Sequence, residues 1–333
     1  MSLPPSEIPQ GAIRFNTDSQ RLEFYAQGEW WIMSTDTPNL AQSGDSTPGA
    51  RGIIGARATP GLIDEIDYFT IATRGNATVF GEMSTARYLY GTLASSTRGV
   101  FTGGNGQLSR IESITFASTG DAVVDAGTLS TGRYLTIGCS NSIRGLTGGG
   151  TPYINNIDST IIASLGNAED FGDLVEAIRQ PGAYASPVRG IFAGGYGPSS
   201  AIKNTLQFVT ISTTGNTQDF GDLVTTSTNP KGTGSATRAV WGNTSTPSAT
   251  TRIDFITMAS TGNAQVFGDL ITSLSTGGSF SSVTRGVYAG GLPGNSATCE
   301  SVEIATTGDA VDFGDLSTGG HGGIGMSNGH GGL

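Results

Sequence analysis

The feature that most constrains this chain is a phrase that returns. An Arg followed by a short apolar run stands at Arg51, Arg98, Arg144, Arg189, Arg238 and Arg285, at intervals of 47, 46, 45, 49 and 47 residues. A small-residue turn before Asn or Asp recurs at Gly75, Gly120, Gly166, Gly215, Gly262 and Gly308. The phrase FGDL or a relative follows at Phe80, Ala126, Phe171, Phe220, Phe267 and Phe313. A degenerate seventh anchor, His330-Gly331, comes 45 residues after Arg285. Three anchors that keep one register mean six copies of one unit.

Each unit reads as four short strands. In the second, Arg98 to Thr102 is apolar and β-branched, and Gly103-Gly104 breaks it. IESITFA alternates, STGD turns, a third element follows, and YLTIGC is the fourth. Period-2 patterning bounded by Gly, Asn, Asp and Ser is a strand signature, and no window has helical spacing. The class is all-β. The 52 Gly among 333 residues fit many tight turns, since no Gly-X-Y period points to collagen. Four-stranded units of this size cannot bury both faces alone. Radial packing into a six-bladed β-propeller solves that. Residues 322–329 (GGIGMSNG) supply the strand that the first unit lacks. The C-terminal strand is therefore expected to close the first blade. An open sandwich or solenoid is the alternative.

The phrase pattern resembles the kelch repeat. In that family an apolar strand ends in a Gly-Gly doublet, and an aromatic shortly precedes the next blade's inner strand. The doublets are Gly103-Gly104, Gly148-Gly149, Gly194-Gly195 and Gly290-Gly291. Units one and five depart, with Gly55-Ala56 and Gly242-Asn243, and Phe replaces the kelch Trp. The resemblance covers about residues 51–333 and implies a fold; propellers host unrelated functions.

Eight residues before the turn Gly stands an acid in five units, Asp67, Glu112, Asp158, Asp254 and Glu300, with Gln207 in the fourth. These suggest structural pairing with the six anchor Arg residues. An Arg ring that binds an anion on the axis is the alternative. The FGDL acids, such as Asp170 and Asp173, invite a calcium reading, but turn acids bonding their own backbone explain them as well. No metal site and no cofactor is expected. Cys139 and Cys299 stand in no metal-type or CxxC spacing. No HExxH, GxSxG or Cys-His arrangement appears, so no catalytic residue is assigned. A net charge of -10 argues against a nucleic-acid partner. The apolar stretches are too short to insert in a membrane, and no signal peptide is visible.

Unit length varies mostly after the Gly-Gly position. Those loops share one face with the unit-to-unit connections, and the TTGN turns take the opposite face. Variable loops on a rigid scaffold are where recognition sits. The candidate ligand residues are Asn105, Gln107, Tyr153, Asn155, Tyr196, Lys203, Asn243 and Asn295. Their chemistry suits sugars or polar protein surfaces; neutral loop drift is the alternative.

Residues 1–36 lie outside the repeat and read as a small β-meander arm, with GAIRFN, LEFYA and EWWIM as strands. Residues 37–50 form a polar linker to the propeller of 51–333. The arm is too small to bury much, so it has to dock on a partner, on the propeller or on copies of itself. GAIRFNTDSQRLEFYAQGEW resembles a short module of tailed-phage fibre and appendage proteins. The FGDL repeats also look like those of phage structural proteins. The resemblance implies a non-enzymatic virion fibre, knob or decoration protein, assembled in the host cytoplasm. Ile13, Phe15, Phe24, Trp30 and Trp31 would anchor it to other virion proteins. The loop face would meet a host glycan or protein. A homo-oligomer, a cellular kelch-type interaction module and a glycan-cleaving propeller remain open alternatives.

Overall fold

The computed structural model describes residues 8–16, 21–32, 50–245 and 248–333. The linker expected at 37–50 lies almost wholly outside them. The chain divides into two units, 1–46 and 47–333.

The larger unit is a six-bladed β-propeller. Six four-stranded antiparallel sheets follow one another, each built from strands consecutive in the chain except the first blade. There Gly325–Ser327 pairs with Arg51–Ile54, so the C-terminal strand closes the ring as the sequence suggests. The blade boundaries differ from a cut at Arg. The YLTIGC-type strand opens the next blade and lies innermost, because it pairs with the Arg strand that follows it. The inner strands are Gly91–Ala94, Ile137–Ser140, Gly182–Ala185, Lys231–Gly234, Gly278–Ser281 and Gly325–Ser327.

The anchor Arg residues do not pair with the repeated acids. Antiparallel register puts Arg98 opposite Thr115 but Glu112 opposite Phe101, and Arg144 opposite Ile161 but Asp158 opposite Thr147. Three residues along a strand is about 10 Å, so cation and anion stand at opposite ends. Each Arg instead donates to a carbonyl in the next blade. Arg51 reaches Phe116 at 2.7 Å, Arg98 Ala163 at 2.7 Å, Arg144 Ile211 at 2.9 Å, Arg189 Met258 at 2.8 Å and Arg238 Ile304 at 2.8 Å. Arg285 returns to Ile71 at 2.7 Å and completes the circle.

The acids hold the crossovers between blades. Each accepts the backbone N–H four residues after the Phe of FGDL or its equivalent. Ser84 bonds Glu112, Ser130 Asp158, Val224 Asp254, Ile271 Glu300 and Ser317 Asp67, and Val175 bonds Gln207 in the same way. Three of these carboxylates also face buried guanidiniums: Arg87–Glu112 at 3.4 Å, Arg133–Asp158 at 2.8 Å and Arg57–Asp67 at 2.8 Å. Gln207 lacks the charge, and Ile178 stands where Arg87 and Arg133 stand in their blades.

Two further kinds of bond join outer strands to the next blade's turn. The N–H two residues after the Phe donates to the turn's Asn or Asp. Asp173 bonds Asn216 at 2.9 Å, Asp222 Asn263 at 3.0 Å and Asp315 Asn76 at 3.1 Å. The turn Gly N–H donates to the Phe carbonyl, as Gly215 does to Phe171 at 2.8 Å. This contact explains the Gly of FGDL. A Cβ at Gly172 would run into the carbonyl of Gly215, so only Gly lets the turn approach. The Phe side chains fill the space between blades, with Phe171 and Phe220 at 2% exposure.

His330-Gly331 starts no seventh blade. Residues 328–333 cross the turn-face ends of the inner strands. Asn328 Oδ1 accepts the Arg51 N–H at 2.7 Å, as Asn141 does for Arg144 at 2.8 Å. His330 Nε2 lies 3.1 Å from the Ala94 carbonyl, and Gly331 donates to the Tyr184 hydroxyl at 2.8 Å.

The smaller unit is a three-stranded antiparallel sheet, Ile13–Asn16, Arg21–Ala26 and Glu29–Ile32. Ile13, Phe24 and Trp31 stand directly opposite one another, and Phe15 faces Leu22. This row is exposed, from 36% at Phe24 to 63% at Ile13. Trp30 does not join it. Side chains alternate along a strand, so Trp30 turns to the other face, under Arg14 at 4.1 Å, where Arg14 also pairs with Glu23 at 2.8 Å.

Two measurements follow from the seams and the tail. Gly172→Ala should lower stability by about 1–3 kcal/mol, whereas Gly166→Ala, whose Cβ meets nothing, should change it by less than about 1 kcal/mol; thermal melts of both decide. Burial pushes the His330 imidazole down to about 4. The unfolded chain then binds the extra proton first, so stability is whole above about pH 6.5 and lost as pH falls towards 4. His330→Gln should make that decline shallower by about 1–2 kcal/mol.

Candidate functional site

The loop face carries the irregular sequence, and its geometry begins with the backbone. One residue shortly before each inner strand takes a left-handed conformation: Leu89, Leu135, Gln180, Asn229, Thr276 and Gly322, with φ between 54° and 73°. Five of these six are not Gly, at a cost of about 1–2 kcal/mol each. Backbone bonds from blade to blade offset it. Leu135 donates to Leu89 at 2.9 Å, Gln180 to Leu135 at 2.8 Å, Asn229 to Gln180 at 2.8 Å, Leu89 to Gly322 at 2.8 Å and Gly322 to Thr276 at 2.6 Å.

The preceding residue in each blade, Tyr88, Tyr134, Arg179, Thr228, Ser275 or His321, sits beside the loop that follows the Gly-Gly position. Isolated bridges join Tyr134 to Thr151, Arg179 to Tyr196, Thr228 to Ser245, Ser275 to Leu292 and His321 to Ala58. The chemistry differs from blade to blade on an otherwise regular frame. Tyr88 and His321 meet edge to face at 6.2 Å, and burial lowers the His321 pKa.

The most distinctive group lies between the third and fourth blades. The Arg179 guanidinium is 5.1 Å from the ring centre of Tyr153 and 5.3 Å from that of Tyr196. Its Nε is buried without a hydrogen-bond partner. Among the described residues no carboxylate pairs with it, whereas Lys203, nearby on the fourth blade, is matched by Glu176 at 2.9 Å. A guanidinium set against two aromatic rings and free of a carboxylate keeps its charge available to an anionic or strongly polar ligand.

The structure therefore brings together Tyr153, Tyr196 and Lys203 of the candidate residues. Asn105 accepts the Tyr88 N–H at 3.0 Å, and Asn295 lies 2.7 Å from His321 Nδ1, so both support the same face. Gln107 and Asn155 are exposed, and the Asn155 carbonyl accepts from Leu174.

Asn243 does not contact a ligand from the loop face but is built into the frame. It is 2% exposed, donates to the Gly290 carbonyl at 3.0 Å and accepts from Gly277 at 3.0 Å. Its φ of 50° matches the 59° of Gly194 and 65° of Gly290. Asn is the non-Gly residue that best tolerates this conformation, so it replaces a doublet Gly and clamps two blades.

Arg179, Tyr88, Tyr134 and His321 carry no mark in the sequence, because the left-handed residues after the first three are Leu or Gln. The repeated FGDL acids lie along the outer strands. Among the described residues no three His, Cys, Asp or Glu side chains come together.

No family model matches the chain, and no curated protein matches it. Solved structures do. The structure of YjhT, a β-propeller protein, superposes with a TM-score of 0.60 over 73% of this chain and 88% of that one, at 8% identity. That likeness concerns the fold alone.

Asn243→Ala should cost about 2–4 kcal/mol, because it strands two buried backbone groups and forces Ala into a left-handed conformation. A melt unchanged from that of the parent chain would return Asn243 to the ligand-contact set.

Proposed function

We propose that this chain is a non-enzymatic virion protein of a tailed phage, a fibre, knob or decoration subunit. Its arm docks on another virion protein, and its propeller presents the loop face to a host surface glycan. One observation carries this reading. The arm's sheet puts Ile13, Phe15, Leu22, Phe24 and Trp31 on one exposed apolar face, too large a share of so small a sheet to leave in water. The phage-type phrase lies on this sheet. The other unit is closed on itself by repeated interblade bonds, which suits a rigid display body. The Tyr153–Arg179–Tyr196 group supplies aromatic faces and a guanidinium, the pairing that sugars and their acidic substituents use.

Purified particles provide the test. The chain should be found in them by mass spectrometry. Phe24→Asp with Trp31→Asp should abolish incorporation while leaving the propeller's melt unchanged. Arg179→Ala should still be incorporated but lower adsorption to host glycans at least tenfold. Particles that lack the chain, or that take up the arm variant normally, would sink this reading.

A further inference from the structure

The innermost strands line a cavity of about 70 Å³ on the propeller axis. Its polar lining is mostly hydroxyl, and no Asp or Glu contributes to it. One ammonium does. Lys231 is 2% exposed and donates to Asn229 Oδ1 at 2.6 Å. The Nδ2 of the same amide is buried with no hydrogen-bond partner. At the matching position the other inner strands have Gly91, Ile137, Gly182, Gly278 and Ile324, so packing does not call for a cation here.

Nothing in the lining balances this charge. Thr92 is committed to the Gly325 carbonyl at 2.8 Å, Ser279 to Gly232 at 2.8 Å and Ser140 to Ala94 at 2.9 Å. The other titratable groups facing the cavity are Tyr184, Cys139 and His330. Burial raises the first two and lowers the third, so all three are neutral near pH 6. An uncompensated buried ammonium is costly.

We propose that the cavity binds a small monovalent anion, of the size of chloride, bromide or formate, held by Lys231 Nζ. A cavity of this volume admits a halide together with a water. Burial brings the Lys231 pKa down to about 7. Binding is therefore strongest below pH 7 and fades above it. This site is independent of the arm and of the loop-face group.

The test uses the full chain melted at pH 6.0 in sodium bromide or, at equal ionic strength, sodium gluconate, whose anion is too large. Bromide at roughly tenfold its Kd should raise the Tm by about 2 °C, and the difference should vanish at pH 9. Lys231→Met should melt higher than the parent in gluconate and lose the bromide effect. Should that variant not fold, bromide-soaked crystals of the parent should show an anomalous peak within about 3.5 Å of Lys231 Nζ. Equal melts in the two salts at pH 6.0, a bromide effect that survives Lys231→Met, or an empty anomalous map would overturn the proposal.

Discussion

The bond on which the rest of this propeller depends is the one a blade makes to its neighbour. A four-stranded sheet of this size has two faces to bury and nothing of its own to bury them with. In this chain the outer strand of each blade presents main-chain groups to the turn of the next, and the Asn or Asp of that turn answers. The seam between the last blade and the first is made in the same way, by Asn76 with Asp315 and Gly75 with Phe313. Anchor arginines repeat the linkage one layer inward. Closure therefore requires no special joint; it reuses the repeat.

Departures from the repeat are compensated locally. Where the crossover acid becomes Gln207, its guanidinium partner becomes Ile178, and no buried charge is left unmatched. Where a doublet Gly becomes Asn243, the amide bonds across to the sixth blade. Two departures lack such compensation, Arg179 on the loop face and Lys231 on the axis. An unmatched buried cation costs stability, and natural proteins keep such costs at sites of use.

Much of the architecture was legible because a repeat shows its own register. Six Arg anchors, six turns and the GGIGMSNG tail were enough to count the blades and find the strand that closes them, though a cut at Arg put the YLTIGC-type strand one blade too early. The role of the Arg residues was not, because two oppositely charged residues in neighbouring strands look like partners until the register is known. Three residues of offset send Arg98 to the next blade and leave Glu112 to hold a crossover. On the arm the alternation that separates Trp30 from Trp31 was available in the sequence. The candidate site was half legible. Tyr153, Tyr196 and Lys203 stood out by composition, while Arg179 sits before a left-handed Gln180 that no Gly announces.

The sequence alone therefore determined the number of blades, their strands and their closure, since these depend on local patterning and on spacing along the chain. Tertiary structure decided which groups meet across the seams, which Gly positions admit no side chain, and which cations stay unmatched. Those outcomes depend on contacts between residues about 30 to 260 positions apart, as Val224 with Asp254 and Arg57 with Ser317 show. Spacing along one unit carries no information about them.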